Sequence, residues 1–153
     1  MSDKIAQAML TISKITDPDK LHTIIRNANV AKETAVARAA QERLYEVAPA
    51  FAPGSFEHAV WKCIYALEDA KTEERGLTIR LGRTRQKIAR DGEYQTVLDL
   101  VTGKKSSGFD MMIERDMPQY TFEAVTLRHP ELFDHETRKL ASERLAEVGY
   151  KGE

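Results

Sequence analysis

A single cysteine, Cys63, is all the thiol chemistry that this 153-residue chain carries. That excludes an intramolecular disulfide and a cysteine-only zinc site, and it makes a reducing cytoplasm the natural setting. Long apolar runs are missing too. No stretch approaches the ~20 apolar residues needed to cross a bilayer. The opening Met-Ser-Asp-Lys, with Lys14 and Asp17 soon after, does not read as a secretory leader. Alternation with period two is absent in any convincing form, so strands are at most brief. Nor does one sign of charge dominate. A formal net charge of −1 argues against wholesale coating of nucleic acid and confines any such contact to a local patch. An apolar content of 42% with 31% charged residues suits an ordered, charge-rich globular protein, here read as one all-α domain over residues 1–153.

Helical period dominates what is present. Ile5, Met9 and Ile12 suit a first amphipathic helix. Asp17-Pro18 reads as a cap followed by proline at the first helical position, with Leu21, Ile24, Ile25 and Ala28 on one face. A third helix is expected over roughly 32–47, forming an antiparallel hairpin with the second. Pro49 and Pro53-Gly54 end that block. From the cap Ser55 the apolar phase runs through Val60, Ile64, Leu67, Leu77, Leu81 and Ile88, predicting one long helix from about 55 to 90, stopped at Asp91-Gly92. A break at Gly76 is the competing reading. Shorter helices follow, with Thr121 and Asp134 as caps. Ala40–Val47 and Ala141–Val148 match at six of eight positions, so two related hairpins around a long central helix are the expected bundle. The bland account of that echo is the common helical vocabulary of Ala, Glu, Arg and Leu.

The strongest functional signal lies in residues 75–90. Arg75, Arg80, Arg83, Arg85, Lys87 and Arg90 place six cations there and no acid, leaving the rest of the chain at −7. On a helix, all but Arg85 fall within an arc of about 140°, opposite Leu77, Leu81, Thr84 and Ile88. Cations on such a line suit backbone phosphates, and arginine's planar fork suits them best. The expected contacts are Arg80, Arg83, Lys87 and Arg90, with Arg85 in the same stretch. Gln86, Gln95, Lys104 and Lys105 would be secondary, and Arg128 would extend the patch. DNA is therefore the expected partner of a non-enzymatic binding protein. The alternatives are an adaptor that meets an acidic protein or a second copy through the same helix, and a solvated face paired with the chain's own carboxylates.

Catalytic signals are thinner. His129, Glu131, Asp134 and His135 crowd one short stretch, but Pro130 pushes His129 toward extended backbone and Asp134 is better used as a cap, so no metal is expected. A metal-dependent nuclease built on Glu114, Glu123 and His129 is the remaining enzymatic reading. The loop from Gly103 to Gly108 lacks the ending of a phosphate-binding P-loop. Cys63 on an apolar helix face reads as an inert core thiol, and His22 and His58 as structural. No catalytic set and no cofactor are expected.

Arg83-Thr-Arg-Gln-Lys-Ile-Ala-Arg90, Gly108-Phe, Glu114-Arg, Met117-Pro, Thr121-x-Glu123-Ala124 and Leu127-Arg-His-Pro130 resemble signatures shared by a group of small helical bacterial proteins of unassigned function. The resemblance covers about half the chain, from Thr72 to Phe133. It implies a small intracellular bacterial protein, carries no activity, and suggests that Arg128 and His129 lie beside the basic helix.

Overall fold

The computed structural model describes residues 3–150. These form eight α-helices and two single 3-10 turns, with no strand among them, so the chain is all-α. No helix among the described residues is long and apolar enough to cross a membrane. The chain divides into two compact units, Met1–Ala50 and Phe51–Glu153.

The first unit is a three-helix bundle of α1 (Asp3–Ile12), α2 (Pro18–Val30) and α3 (Thr34–Val47). Its core joins Ile12, Leu21, Ala28, Val36, Ala37, Ala40 and Leu44. Asp17 caps α2 by accepting from the Asp19 N–H, with Pro18 at the first helical position. The α2–α3 turn is a Schellman closure, in which the Glu33 N–H donates to the Ala28 carbonyl and the Lys32 N–H to that of Asn29. It places Lys32 at φ 59°. The Arg43 Nε donates to the Ile15 carbonyl at 2.8 Å and so ties the α1–α2 loop to α3.

In the second unit the expected long helix is two. Ser55 caps α4 (Phe56–Arg75) as anticipated, accepting from the His58 N–H. The helix then ends at Gly76, whose φ of 72° is the left-handed stop that glycine adopts without strain. The next helix, α5, begins at Gly82 and runs to Thr102. The continuous helix over 55–90 is therefore corrected in favour of the break at Gly76. Summed apolar phase could not weigh the cost of two glycines against the tertiary bonds that reward a turn here. The stop expected at Asp91-Gly92 is present as a break within this run: Gly92, at φ 89° and ψ 167°, leaves helical backbone, and a second helical stretch continues from it to the Gly103 cap.

The rest of the unit gathers on α7 (Phe122–Arg128), a seven-residue helix that touches α4, α5 and α8 (His135–Glu147). Glu123, Ala124, Val125 and Thr126 on it are all buried. Thr121 caps α7 and Asp134 caps α8, as their positions predicted. The 3-10 turns at Pro118–Tyr120 and Pro130–Leu132 lead into these two caps. Between α5 and α7, α6 (Ser107–Glu114) crosses α4 closely. A Cβ on Gly108 would stand 2.7 Å from the Leu67 Cδ2, so a larger residue there would require the Leu67 side chain to shift. Arg115 fixes the far end of α6 to α4 by an ion pair with Glu73 and a hydrogen bond to the Ala70 carbonyl.

Candidate nucleic-acid interface

Segment 77–81 folds back along α4 rather than extending it, and a buried carboxylate accounts for this. Glu68, only 6% exposed, accepts from the Leu81 N–H at 2.8 Å and takes the Arg85 guanidinium in a two-point grip at 2.7 and 2.8 Å. One turn further along α4, Thr72 Oγ1 accepts from the Ile79 N–H. Ile79 and Leu81 thus turn toward α4 and are half-buried, while Thr78 before them and Arg80 between them are exposed. Arg85 also lies over the rings of Trp61 and Tyr65, at 5.1 and 5.7 Å from their centroids. Its hydrogen bond to Glu68 raises its pKa above the already high arginine value. The aromatic pair Trp61 and Tyr65 thus cradles a cation.

This reassigns Arg85. Its guanidinium is engaged by Glu68 through two donors and stacked over two rings, so its charge is compensated inside the fold. Lys87 is likewise engaged, with Nζ at 2.6 Å from Asp99 Oδ2 and 3.1 Å from Asp91 Oδ2. Arg90 bonds both oxygens of Asp91, each at 3.2 Å, although its side chain stays 68% exposed. Lys87 is held above its ordinary pKa by Asp99 first and Asp91 second. Asp91 is held below its own by Arg90 and then Lys87, and Asp99 by Lys87 and then Gln95. Gln95 donates to Asp99 at 2.8 Å, closing the network. Lys105 pairs with Asp110 at 3.2 Å, and Arg128 Nη1 donates to the Gln119 carbonyl. Gln86 and Lys104 are exposed.

What remains bare is a shorter set, displaced toward the turn. Arg75 ends α4, Arg80 lies in the pinned segment and Arg83 stands in the first turn of α5; all three are exposed. No ion pair among the described residues engages any of them. The apolar stripe expected opposite the cations is also revised. Leu77, at the tip of the turn, is 60% exposed, whereas Ile88 is buried.

No three His, Cys, Asp or Glu side chains among the described residues gather closely enough to hold a metal, so Glu114, Glu123 and His129 are not a site. Glu123 is buried and salt-bridged to Arg144 at 2.9 Å; burial raises its pKa, and the Arg144 bond only partly opposes that. His129 packs edge-on against Phe56, with centroids 5.5 Å apart, as part of an aromatic row completed by Phe133 and Tyr94. Cys63 is buried, and desolvation pushes its thiol up to about 12, as expected of an inert core residue.

Sequence reasoning missed Glu68. The signal was present, since Glu68 follows Ile64 by four residues and so shares the buried face of α4. A carboxylate there requires a cation, and the window downstream supplies six. Comparison with known proteins yields no matching family model, no matching curated protein and no matching solved structure.

Proposed function

We propose that the chain is a non-enzymatic nucleic-acid-binding protein that contacts backbone phosphates through Arg75, Arg80 and Arg83 at the α4–α5 turn, with Lys104 as an outlying contact. One observation carries the reading: the three residues are exposed and engaged by no ion pair among the described residues, with Arg80 on the segment that Glu68 and Thr72 hold fast and Arg75 and Arg83 on the helix ends that flank it. A pinned segment loses little freedom on binding, so phosphate contacts there add affinity with little ordering cost. The placement of Arg83 points the same way. The N-terminus of α5 carries no acidic residue in its first turn and no side-chain cap of its own. A cation at that end of a helix opposes the macrodipole by about 0.3–1 kcal/mol. An external anion turns that same arrangement to advantage.

The test is duplex binding measured across salt concentrations with the wild type and an Arg75→Ala/Arg80→Ala/Arg83→Ala triple variant. The slope of log affinity against log salt should flatten by about 0.9 for each phosphate that the variant no longer neutralises, with affinity falling roughly a hundredfold at low salt. A wild type that binds no DNA at about 50 mM salt would remove the reading.

A second reading, an adaptor for an acidic protein or a second copy of the chain, is favoured by Leu77, a leucine 60% exposed on the same turn. Solution mass decides it. A dimer that dissociates on Leu77→Asp, with no nucleic-acid binding, replaces the first reading.

A further inference from the structure

Between α4 and α6 lies an open groove of about 280 Å³, lined by Lys71, Glu74 and Arg75 of α4, Ile79 of the pinned segment, and Ser107 and Met111 of α6. Its lining follows helical spacing. Residues 71, 74 and 75 share one face of α4, and residues 107 and 111 share one face of α6. Arg115 ties the far end of α6 to α4 through Glu73 and the Ala70 carbonyl, on the same two helices that line the groove.

We infer that this groove seats one nucleotide of a single strand, its phosphodiester at Lys71, Arg75 and Ser107 and its base against Ile79 and Met111. The inference rests on the nucleic-acid reading above and deepens it by naming the form of nucleic acid. Three features argue for this occupant. Two cations and one carboxylate leave the lining at +1, which matches a phosphodiester better than a phosphate monoester of charge about −1.5 to −2. Ser107 is exposed at the first position of α6, where its hydroxyl can donate to a phosphate oxygen, the helix end itself being capped by Ser106. Ile79 and Met111 supply an apolar wall, and the methionine thioether is polarisable and adapts to a flat ring. Bases in a duplex stay stacked on their neighbours, so only a splayed base of a single strand enters such a recess. Arg75 belongs to both the groove and the exposed set at the turn. A strand seated here therefore continues onto Arg80 and Arg83.

The experiment is fluorescence anisotropy on the full chain, using a labelled single strand of about 15 nucleotides and a duplex of the same sequence. Ser107→Asp is the main variant. An acidic residue in the first turn suits the helix, so folding is preserved while the phosphate is repelled. Met111→Glu is the second, checked by a thermal melt. The expected result is tighter binding of the single strand than of the duplex by wild type. Ser107→Asp should then weaken the single strand about tenfold and leave the duplex within twofold. If both variants bind the single strand like wild type while the duplex is still bound, the groove assignment is overturned and the nucleic-acid reading stands. If neither form binds wild type at all, both fall together.

Discussion

Arg85, Lys87 and Arg90 come from the same acid-free window as Arg75, Arg80 and Arg83, yet the two sets meet opposite fates. The downstream set is consumed. Arg85 closes on the buried Glu68, Lys87 bridges Asp91 and Asp99, and Arg90 doubles back onto Asp91. No ion pair among the described residues engages the upstream set, and Glu68, the carboxylate that holds segment 77–85 to α4, is already taken by Arg85 and the Leu81 N–H. The lesson concerns what a basic stripe means. Spacing tells which cations share a face, but availability depends on carboxylates one turn away or across a packing interface, outside the window itself.

The contrast between the two sets breaks most sharply at Glu68. Glu68→Ala leaves the half-buried Arg85 and the Leu81 N–H without their acceptor, which should cost about 1–3 kcal/mol of unfolding free energy in urea denaturation. The released turn should also lose its advantage in binding, so affinity for nucleic acid drops although every phosphate-facing cation is still present. A loss under about 1 kcal/mol would mean that the anchor is dispensable and that the bare set is not held in place by it.

Next in size is a gain. An Asp91→Asn/Asp99→Asn variant frees Lys87 and Arg90 without adding a cation. If compensation is what silences the downstream set, affinity for duplex should rise about tenfold, and the salt slope should steepen by about 0.9 for each further phosphate neutralised. An unchanged slope would say that Lys87 and Arg90 face away from any bound strand, whatever their pairing.

The caps were the most legible part of the fold. Asp17, Ser55, Thr121 and Asp134 each accept the backbone N–H that their position implied, because capping is decided within a few residues. The α2–α3 hairpin was legible for the same reason. The turn at Gly76 was visible only as an alternative, since it is rewarded by Glu68, Thr72 and Arg85 and not by local propensity. The echo of Ala40–Val47 in Ala141–Val148 proves informative at the level of side-chain use. Ala40 and Leu44 are buried, as are Ala141 and Leu145. Arg43 donates to a backbone carbonyl at Ile15, and Arg144 to those of Leu100 and Gly103. A shared pattern of two inward residues and one carbonyl-seeking arginine follows from helical geometry alone. For the candidate site, the cation set was readable, but its division into used and bare was not. Lys71, Ser107 and Met111 gave no signal at all, because their meeting in one groove depends on how α6 crosses α4.

The smallest expected effect tests which cation holds which carboxylate. Asp91 and Asp99 both titrate below the ordinary carboxylate value of 3.8, the first chiefly because of Arg90 and the second chiefly because of Lys87. A depressed folded pKa contributes stability that is present above the unfolded value and lost as pH falls through the folded one. The pairs therefore stay intact from pH 7 down to about 4, and the downstream cations remain compensated throughout that range. Carboxylate midpoints followed by NMR should respond selectively. Arg90→Ala should move the Asp91 midpoint up toward 3.8 and leave Asp99 nearly in place, whereas Lys87→Ala should raise Asp99 more than Asp91. If Lys87→Ala leaves Asp99 where it was, the lysine is solvated rather than paired. The contrast between the two sets would then shrink to Arg85 and Arg90, and Lys87 would rejoin Arg80 and Arg83 as a free cation on α5.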